Sequence, residues 1–169
     1  GMGGAESLYV AASRVLCSAS SLNSLESILE TSRVDHFPMP ISDFLISRFG
    51  FSRDEIDEMG DEFFNRHGLS SRNAIINNFS TETECILEVL APQIIQRSIR
   101  VAEDYKSYLT SLGVDFETAP LVDIGYSGTN QLAIARLMNA STSGIYLFTS
   151  ERVVKLDESG QSHKAWLHA

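Results

Sequence analysis

The length, composition and charge of the chain exclude several classes of protein. Its 169 residues, with a hydrophobic fraction of 43% and a charged fraction of 21%, predict a single globular domain over residues 3–169. The formal net charge of -9 opposes binding to nucleic-acid phosphates and anionic lipids, so we expect no nucleic-acid partner. Because no segment approaches the ~20 apolar residues of a membrane span and no signal peptide is visible, we expect no membrane insertion and a cytoplasmic location.

The N-terminal region predicts one strand and then a helical block. The apolar, β-prone segment 7–12 is typical of a buried strand, and Ser13 and Arg14 follow its end. Helical spacing of apolar residues then dominates over residues 21–112. We therefore predict an α/β fold with a small parallel, Rossmann-like sheet and a large helical insertion between its first and second strands.

Polar residues and glycines mark the expected ends of the first three helices. Ser24 is expected to cap the first helix, and Ser42 or Asp43 the second. Gly50 is expected to end the second helix. The sequence Ser-Arg-Asp-Glu at residues 52–55 fits a capping box, which predicts the start of the third helix.

The rest of the helical block predicts a fourth helix over 70–79 and a long helix from residue 81. The long pattern contains Pro92, which removes a backbone hydrogen bond, so we expect a kink or two successive helices. Gly113 is expected to stop the pattern. Large side chains near the end of this pattern are expected to face the core: Tyr105, Tyr108 and Leu112.

The C-terminal region predicts alternating strands and helices. Residues 120–125 and 144–148 have the apolar composition of buried strands, and residues 128–140 between them have helical spacing. This order predicts a parallel strand–helix–strand unit. Two short segments over 153–156 and 164–167, separated by a polar turn, predict a terminal hairpin.

The loop between the second strand and the following helix has the residue types of an anion site. Asp123 lies at the carboxyl end of the strand, where open α/β sheets bind ligands. Gly125 and Gly128 allow a close backbone approach. Ser127 and Thr129 bring hydroxyls to a helix start, where N–H groups and the helix dipole favour an anion. The same residues also fit a plain turn with a capped helix, and both interpretations stay open.

Other motifs are incomplete or have a structural explanation. The loop lacks the GK[ST] ending of a P-loop, the GxGxxG pattern of a dinucleotide site and the GxSxG elbow of serine hydrolases. Ser13 and Arg14 fit a phosphate or carboxylate contact, or a cap and a surface charge. The histidines lack metal-ligand spacing, the two cysteines are expected to be reduced, and the acidic run over 54–62 is expected to be a solvated helix face.

Two stretches of the sequence resemble a known family. Residues 8–14 (LYVAASR) precede the helical block, and residues 121–131 (LVDIGYSGTNQ) precede residues 144–147 (GIYL). Their order resembles the C-terminal part of large bacterial haloacid-dehalogenase-like (HAD-like) proteins linked to glycosyltransferases and surface-polysaccharide biosynthesis. Tyr126 stands where this family usually has tryptophan. The resemblance implies a Rossmann-like sheet and a cell-envelope carbohydrate context.

The resemblance to HAD-like proteins does not include the nucleophile motif that a phosphoester hydrolase of this family needs. HAD-like phosphatases use a nucleophilic aspartate in a DxD motif, and no such motif is present here. The resemblance therefore implies a partial or degenerate module that binds a phosphorylated sugar or phosphate. In it, Asp123 would match a Mg²⁺-binding position and Ser13 the hydroxyl of the second motif. The candidate ligand-binding residues are Ser13, Arg14, Asp123, Gly125, Tyr126, Ser127, Gly128, Thr129 and Gln131.

Two other functions fit the same sequence. The helical block fits a non-enzymatic interaction surface for other domains of a larger parent protein or for a second copy of the chain. The loop at 123–129 also fits a sugar-nucleotide binding module without hydrolysis. Binding of phosphate, binding of a sugar nucleotide and self-association distinguish the three functions.

Overall fold

The computed structural model describes residues 7–12, 21–33, 38–77, 79–124, 128–149 and 154–168. The helices are α1 (Leu25–Ser32), α2 (Ile41–Phe49), α3 (Arg53–Arg66), α4 (Thr81–Ser111), α5 (Thr129–Met138) and α6 (Val154–Glu158). The strands are β1 (Met39–Pro40), β2 (Ile75–Ile76), β3 (Leu121–Asp123), β4 (Ser143–Thr149) and β5 (Ser162–His168). Within the described residues the fold is mixed α/β, as predicted, with an antiparallel β1–β2 ladder and a parallel sheet ordered β3–β4–β5.

Side chains cap α1 and α3 as the sequence predicts. The hydroxyl of Ser24 accepts from the backbone N–H of Ser27 at 3.2 Å. At α3 the capping box is complete, because the N–H of Glu55 donates to the Ser52 hydroxyl and the N–H of Ser52 donates to the Glu55 carboxylate. Gly50 ends α2 with a φ of 69°, which confirms the predicted stop.

The start of α2 differs from the prediction. Ser42 and Asp43 lie inside its first turn, and the N-cap residue is Pro40, so the predicted side-chain cap is wrong. The backbone supplies the missing acceptors instead. The N–H of Ile41 donates to the carbonyl of Ala74 at 3.0 Å, so a neighbouring segment satisfies an N–H that a capping side chain would otherwise bind.

The helix predicted over 70–79 is not formed. Ile75 and Ile76 form β2, which pairs antiparallel with β1. Ile76 is buried and Ile75 is 57% exposed, as expected for neighbouring residues of a strand, whose side chains point to opposite faces. Pairing with a distant segment outweighs the weak local helical pattern here.

The long helical pattern forms one continuous helix. Pro92 lies inside α4, and the chain does not divide into two helices there. Leu90 and Ile94 on either side of the proline are buried, so packing compensates for the lost backbone hydrogen bond. Gly113, with a φ of 66°, follows the helix and confirms the predicted stop.

Two groups of buried side chains lie along α4. The first, which we call the helical core, joins α1, α2, α3 and β2 to the N-terminal half of α4. The second, which we call the sheet core, contains Tyr105, Leu109, Phe116 and Ile134. Tyr105 is buried, and Tyr108 and Leu112 pack against the sheet core, which confirms that these three side chains face the interior.

The parallel strand–helix–strand unit is confirmed, and the terminal hairpin is wrong. β3, α5 and β4 follow one another, and β3 pairs parallel with β4. The first strand of the predicted hairpin overlaps α6, and β5 pairs parallel with β4. Because α6 carries the chain back along the sheet, β5 starts again at the same end as β4 and cannot form a hairpin.

Residues 7–12 are not a buried strand. They carry no strand pairing, and Leu8 and Tyr9 are 55% and 86% exposed. Val10 packs against the sheet core, and the N–H of Ala11 donates to the hydroxyl of Tyr108 at 3.1 Å. Among the described residues, this backbone segment is bonded to a helix side chain and pairs with no strand. No strand pairs with the sheet ahead of the helical block within the described residues, so the predicted large insertion is not confirmed.

None of the described helices combines the length and the apolar character that a membrane span requires.

Candidate functional site

The carboxyl end of β3 and the start of α5 form the region that the sequence singles out. Asp123 is the last residue of β3, and Gly128 is the N-cap of α5 with a φ of 69°. A side chain at Gly128 would be strained at this φ and would also lie 2.8 Å from Cγ of Leu156 in α6. Glycine is therefore required at this position, where α6 packs against the start of α5.

Asp123 is tied to the first turn of α5. The side-chain amide of Asn130 donates to Oδ2 of Asp123 at 3.1 Å. Across the sheet, Asp123 is paired with Tyr146 of β4. Burial of Tyr146, followed by the negative charge of Asp123, raises the pKa of the Tyr146 hydroxyl above its ordinary value. The hydroxyl therefore stays protonated and acts as a hydrogen-bond donor.

Gln131 is the centre of a buried hydrogen-bond network. Its side-chain nitrogen donates to the carbonyls of Thr142 at 3.1 Å and Ser162 at 2.9 Å, and its oxygen accepts from the Tyr146 hydroxyl at 2.8 Å. Gln131 is 1% exposed. Both donor positions of the amide are used, so this side chain joins α5 to the segments that begin β4 and β5.

Gly144 makes room for this network. A Cβ atom at this position would overlap Oε1 of Gln131 and lie 2.6 Å from Cε2 of Tyr146. Any larger residue would displace the glutamine amide or the tyrosine ring. The glycine of the GIYL segment is thus required for packing.

The structure brings together part of the predicted site. Asp123, Gly128 and Thr129 lie at the same edge of the sheet, and Gln131 points into the interior. Five further candidates lie outside the described residues: Ser13, Arg14, Gly125, Tyr126 and Ser127.

Asn130 and Tyr146 lie next to Asp123 and are not among the residues that the sequence predicts for the site. The signal for Tyr146 is its position two residues after Gly144, which places both on one face of β4.

The donor set near Asp123 limits the metals that could bind. Across the described residues, no three His, Cys, Asp or Glu side chains are grouped so that they could hold a metal ion. Mg²⁺ is often bound by one or two carboxylates together with substrate phosphates and water. A single carboxylate at Asp123 therefore fits Mg²⁺ only together with a bound phosphate.

A concave region lies at the opposite edge of the sheet. It has a volume of about 460 Å³ and is lined by residues of α5 and of the turn after α6, among them Arg136, Asn139 and Gln161. Gln161 is held there by Thr142, whose N–H and hydroxyl both donate to its side-chain oxygen. This region lies at the amino ends of β4 and β5, away from Asp123.

Comparison with protein-family models and with curated proteins finds no match to this chain.

Proposed function

We propose that the chain is a HAD-like, Rossmann-type module that binds the phosphate of a phosphorylated sugar at residues 123–129. One observation carries the proposal. The hydrogen bond from Asn130 to Asp123 holds a strand-end carboxylate beside the first turn of α5, at the carboxyl edge of a parallel sheet. Open α/β sheets bind ligands at this edge, and helix N-termini bind phosphate through backbone N–H groups and the helix dipole.

The cap of α5 supports the same proposal. Ser24, Ser52 and Ser80 cap α1, α3 and α4 through their hydroxyls. The N-cap of α5 is Gly128, which has no side chain to offer to the first turn. The cap of α5 therefore differs from those of α1, α3 and α4, and a glycine at a helix start lets a ligand approach the backbone closely.

The negative charge of Asp123 determines what must accompany a bound phosphate. A carboxylate beside a phosphate is repulsive unless a cation lies between them. The proposal therefore includes Mg²⁺, with Asp123 as its only carboxylate and with phosphate oxygens and water completing the coordination. Bound there, Mg²⁺ would neutralise phosphate charge.

The proposal is for binding and not for hydrolysis. Phosphatases of the family that the sequence resembles need an aspartate nucleophile on their first strand, and residues 7–12 contain no aspartate. The carbohydrate context depends on the resemblance of residues 121–131 alone.

Thermal shift measurements test the proposal. The unfolding temperature of the wild-type protein should rise with phosphate and Mg²⁺ together by more than the sum of the two separate effects. In Asp123→Asn this excess should disappear, because the cation loses its carboxylate. Asp104→Asn, on an exposed part of α4, is the matched control and should keep the wild-type response.

Two other results of the thermal shift measurements would contradict or change the proposal. An unchanged excess in Asp123→Asn would contradict the proposed site. A shift with nucleoside diphosphate sugars but none with phosphate would replace the phosphorylated sugar by a sugar nucleotide as the ligand.

A further inference from the structure

Within the described ranges of the chain, the parallel sheet has one covered face and one open face. Residues that pair across parallel strands point to the same side, so Val122, Ile145 and Lys164 form one row across β3, β4 and β5. Val122 is 78% exposed, and Leu147, two residues after Ile145 on the same side of β4, is 51% exposed. Ile124, directly after β3, is 84% exposed. We call these five residues the open face.

Both crossover helices lie on the other side of the sheet. On that side, Tyr146 and Gly144 contact Gln131 of α5. Leu156 of α6 packs against Gly128 at the start of α5, so α6 lies on the same side as α5. This agrees with the topology, since right-handed crossovers that move in one direction across a sheet lie on one face. Within the described residues, neither crossover helix covers the open face.

The open face is built like a buried surface. Parallel sheets occur almost only with both faces covered, and their strands are apolar on both sides. The aliphatic residues Val122, Ile145 and Leu147 match this composition. Three strands spaced about 4.8 Å apart give a surface about 10 Å wide, which is the diameter of one α-helix.

The charge and the area of the open face indicate what kind of helical partner would fit it. Lys164 is exposed at one side of the open face, and no ion pair joins it to another described residue. A carboxylate on the flank of the partner would meet this ammonium group. The exposed side chains amount to a few hundred Å² at most, roughly half or less of the ~800 Å² per partner of a standard interface. This area is too small to hold two copies of the chain together by itself.

We propose that the open face is a docking surface for one amphipathic α-helix that carries an aliphatic stripe and a flanking carboxylate. The partner lies lengthwise on the sheet, with its stripe on Val122, Ile145 and Leu147 and its carboxylate against Lys164. This inference does not depend on phosphate binding, because the open face is on the opposite side of the sheet from α5.

A peptide titration followed by methyl NMR tests this inference. The probe is an 18-residue helical peptide with leucines at i, i+3, i+4 and i+7 spacing and glutamates on one flank. It should bind weakly and shift the methyl signals of Val122, Ile124 and Leu147 in a saturable way. Replacing the flank glutamates by lysine should weaken binding several-fold, and Lys164→Glu should reverse that preference.

Two matched variants distinguish docking at the open face from nonspecific hydrophobic binding. Leu147→Thr should weaken binding of the glutamate peptide at least fivefold. Val89→Thr on α4, at 52% exposure a match for Leu147, should leave binding unchanged. Circular dichroism confirms that each variant is folded.

Three outcomes would overturn the inference. The first is no saturable shift at the open face with either peptide. The second is an equal loss of binding in Val89→Thr and Leu147→Thr. The third is a dimer, seen by light scattering, that Val122→Arg dissociates, because the occupant would then be a second copy of the chain.

Discussion

The helical core and the sheet core share α4 but are held together by different means. Among the described residues, the helical core contains 15 buried apolar residues, whereas the sheet core contains four. The sheet depends instead on polar contacts, above all the buried amide of Gln131. In the part of the chain that the structure describes, neither α5 nor α6 covers the open face of the sheet. We call the part of the fold around the helical core the helical half, and β3–β5 with α5, α6 and the C-terminal part of α4 the sheet half. Because apolar burial is greater in the helical half, the stability of the fold is concentrated there, and the sheet half, which carries the candidate site, is the more easily opened.

The contacts of one arginine add to the difference between the helical core and the sheet core. Arg97 of α4 donates to the carboxylate of Glu55 and to the carbonyl of Gly50, and its guanidinium carbon lies 4.4 Å from the centre of the Phe51 ring. This single side chain fastens α4 to the start of α3 and the end of α2. The sheet half has no comparable arginine contact among its described residues.

Removing a large side chain from the helical core should have the largest effect. Phe44 is fully buried and lies edge-on to Phe49 at 5.8 Å between ring centres. Phe44→Ala should lower the free energy of unfolding by about 3–5 kcal/mol, because it leaves a cavity in a packed core. Denaturant unfolding measures this loss. Ile99→Ala, at an exposed position of α4, should change it by less than about 0.5 kcal/mol. Similar losses in the two variants would contradict the central role of the helical core.

A substitution at Gly144 should affect the sheet half selectively. Gly144→Ala displaces the amide of Gln131 and should lower the free energy of unfolding by about 1–3 kcal/mol. Hydrogen exchange should speed up in β4 and β5, while amides near Leu87 in α4 keep their protection. Ser143→Ala, next to it on the same strand, is the control with little expected effect. A uniform increase of exchange in both halves would remove the distinction between them.

The contact between Arg97 and Glu55 should give a smaller, pH-dependent effect. The hydrogen bond from Arg97, followed by that from the Ser52 N–H, lowers the pKa of Glu55 from 4.5 to about 2. Because the folded-state pKa lies below the unfolded one, the stabilisation is complete above about pH 5 and is lost as the pH falls towards 2. Glu55 is partly exposed, so the effect should be about 1 kcal/mol or less.

Paired variants isolate this contribution. In Glu55→Gln the part of the stability loss that occurs between pH 5 and 2 should be reduced. Glu62→Gln removes an exposed pair with Arg66 and should leave the pH profile unchanged. The same profile in wild type and Glu55→Gln would show that the contact contributes nothing.

Local signals in the sequence predicted local structure well. The caps at Ser24 and Ser52 and the stops at Gly50 and Gly113 depend on neighbouring residues alone, and all four are confirmed. The parallel β3–α5–β4 unit was predicted for a similar reason, since its strands and helix have clear and different periodicities.

The errors occur where distant contacts decide the structure. The segment at 70–79 pairs with β1, and β5 pairs with β4 from the far side of α6. Neither partner can be read from the local pattern. At the candidate site the sequence predicts the position of Asp123 at the end of the strand. Its bond to Asn130 depends on how α5 lies beside β3. Its pairing with Tyr146 depends on strand register, which the sequence does not specify.

Amide NMR during a phosphate titration tests the proposed site most directly. With Mg²⁺ present, phosphate should cause saturable shifts of the backbone N–H signals of Thr129 and Asn130, in the first turn of α5. The N–H signals of Asp54 and Glu55, in the serine-capped first turn of α3, provide the internal control and should not move. Equal shifts at both helix starts, or none at α5, would contradict a phosphate site at residues 123–129.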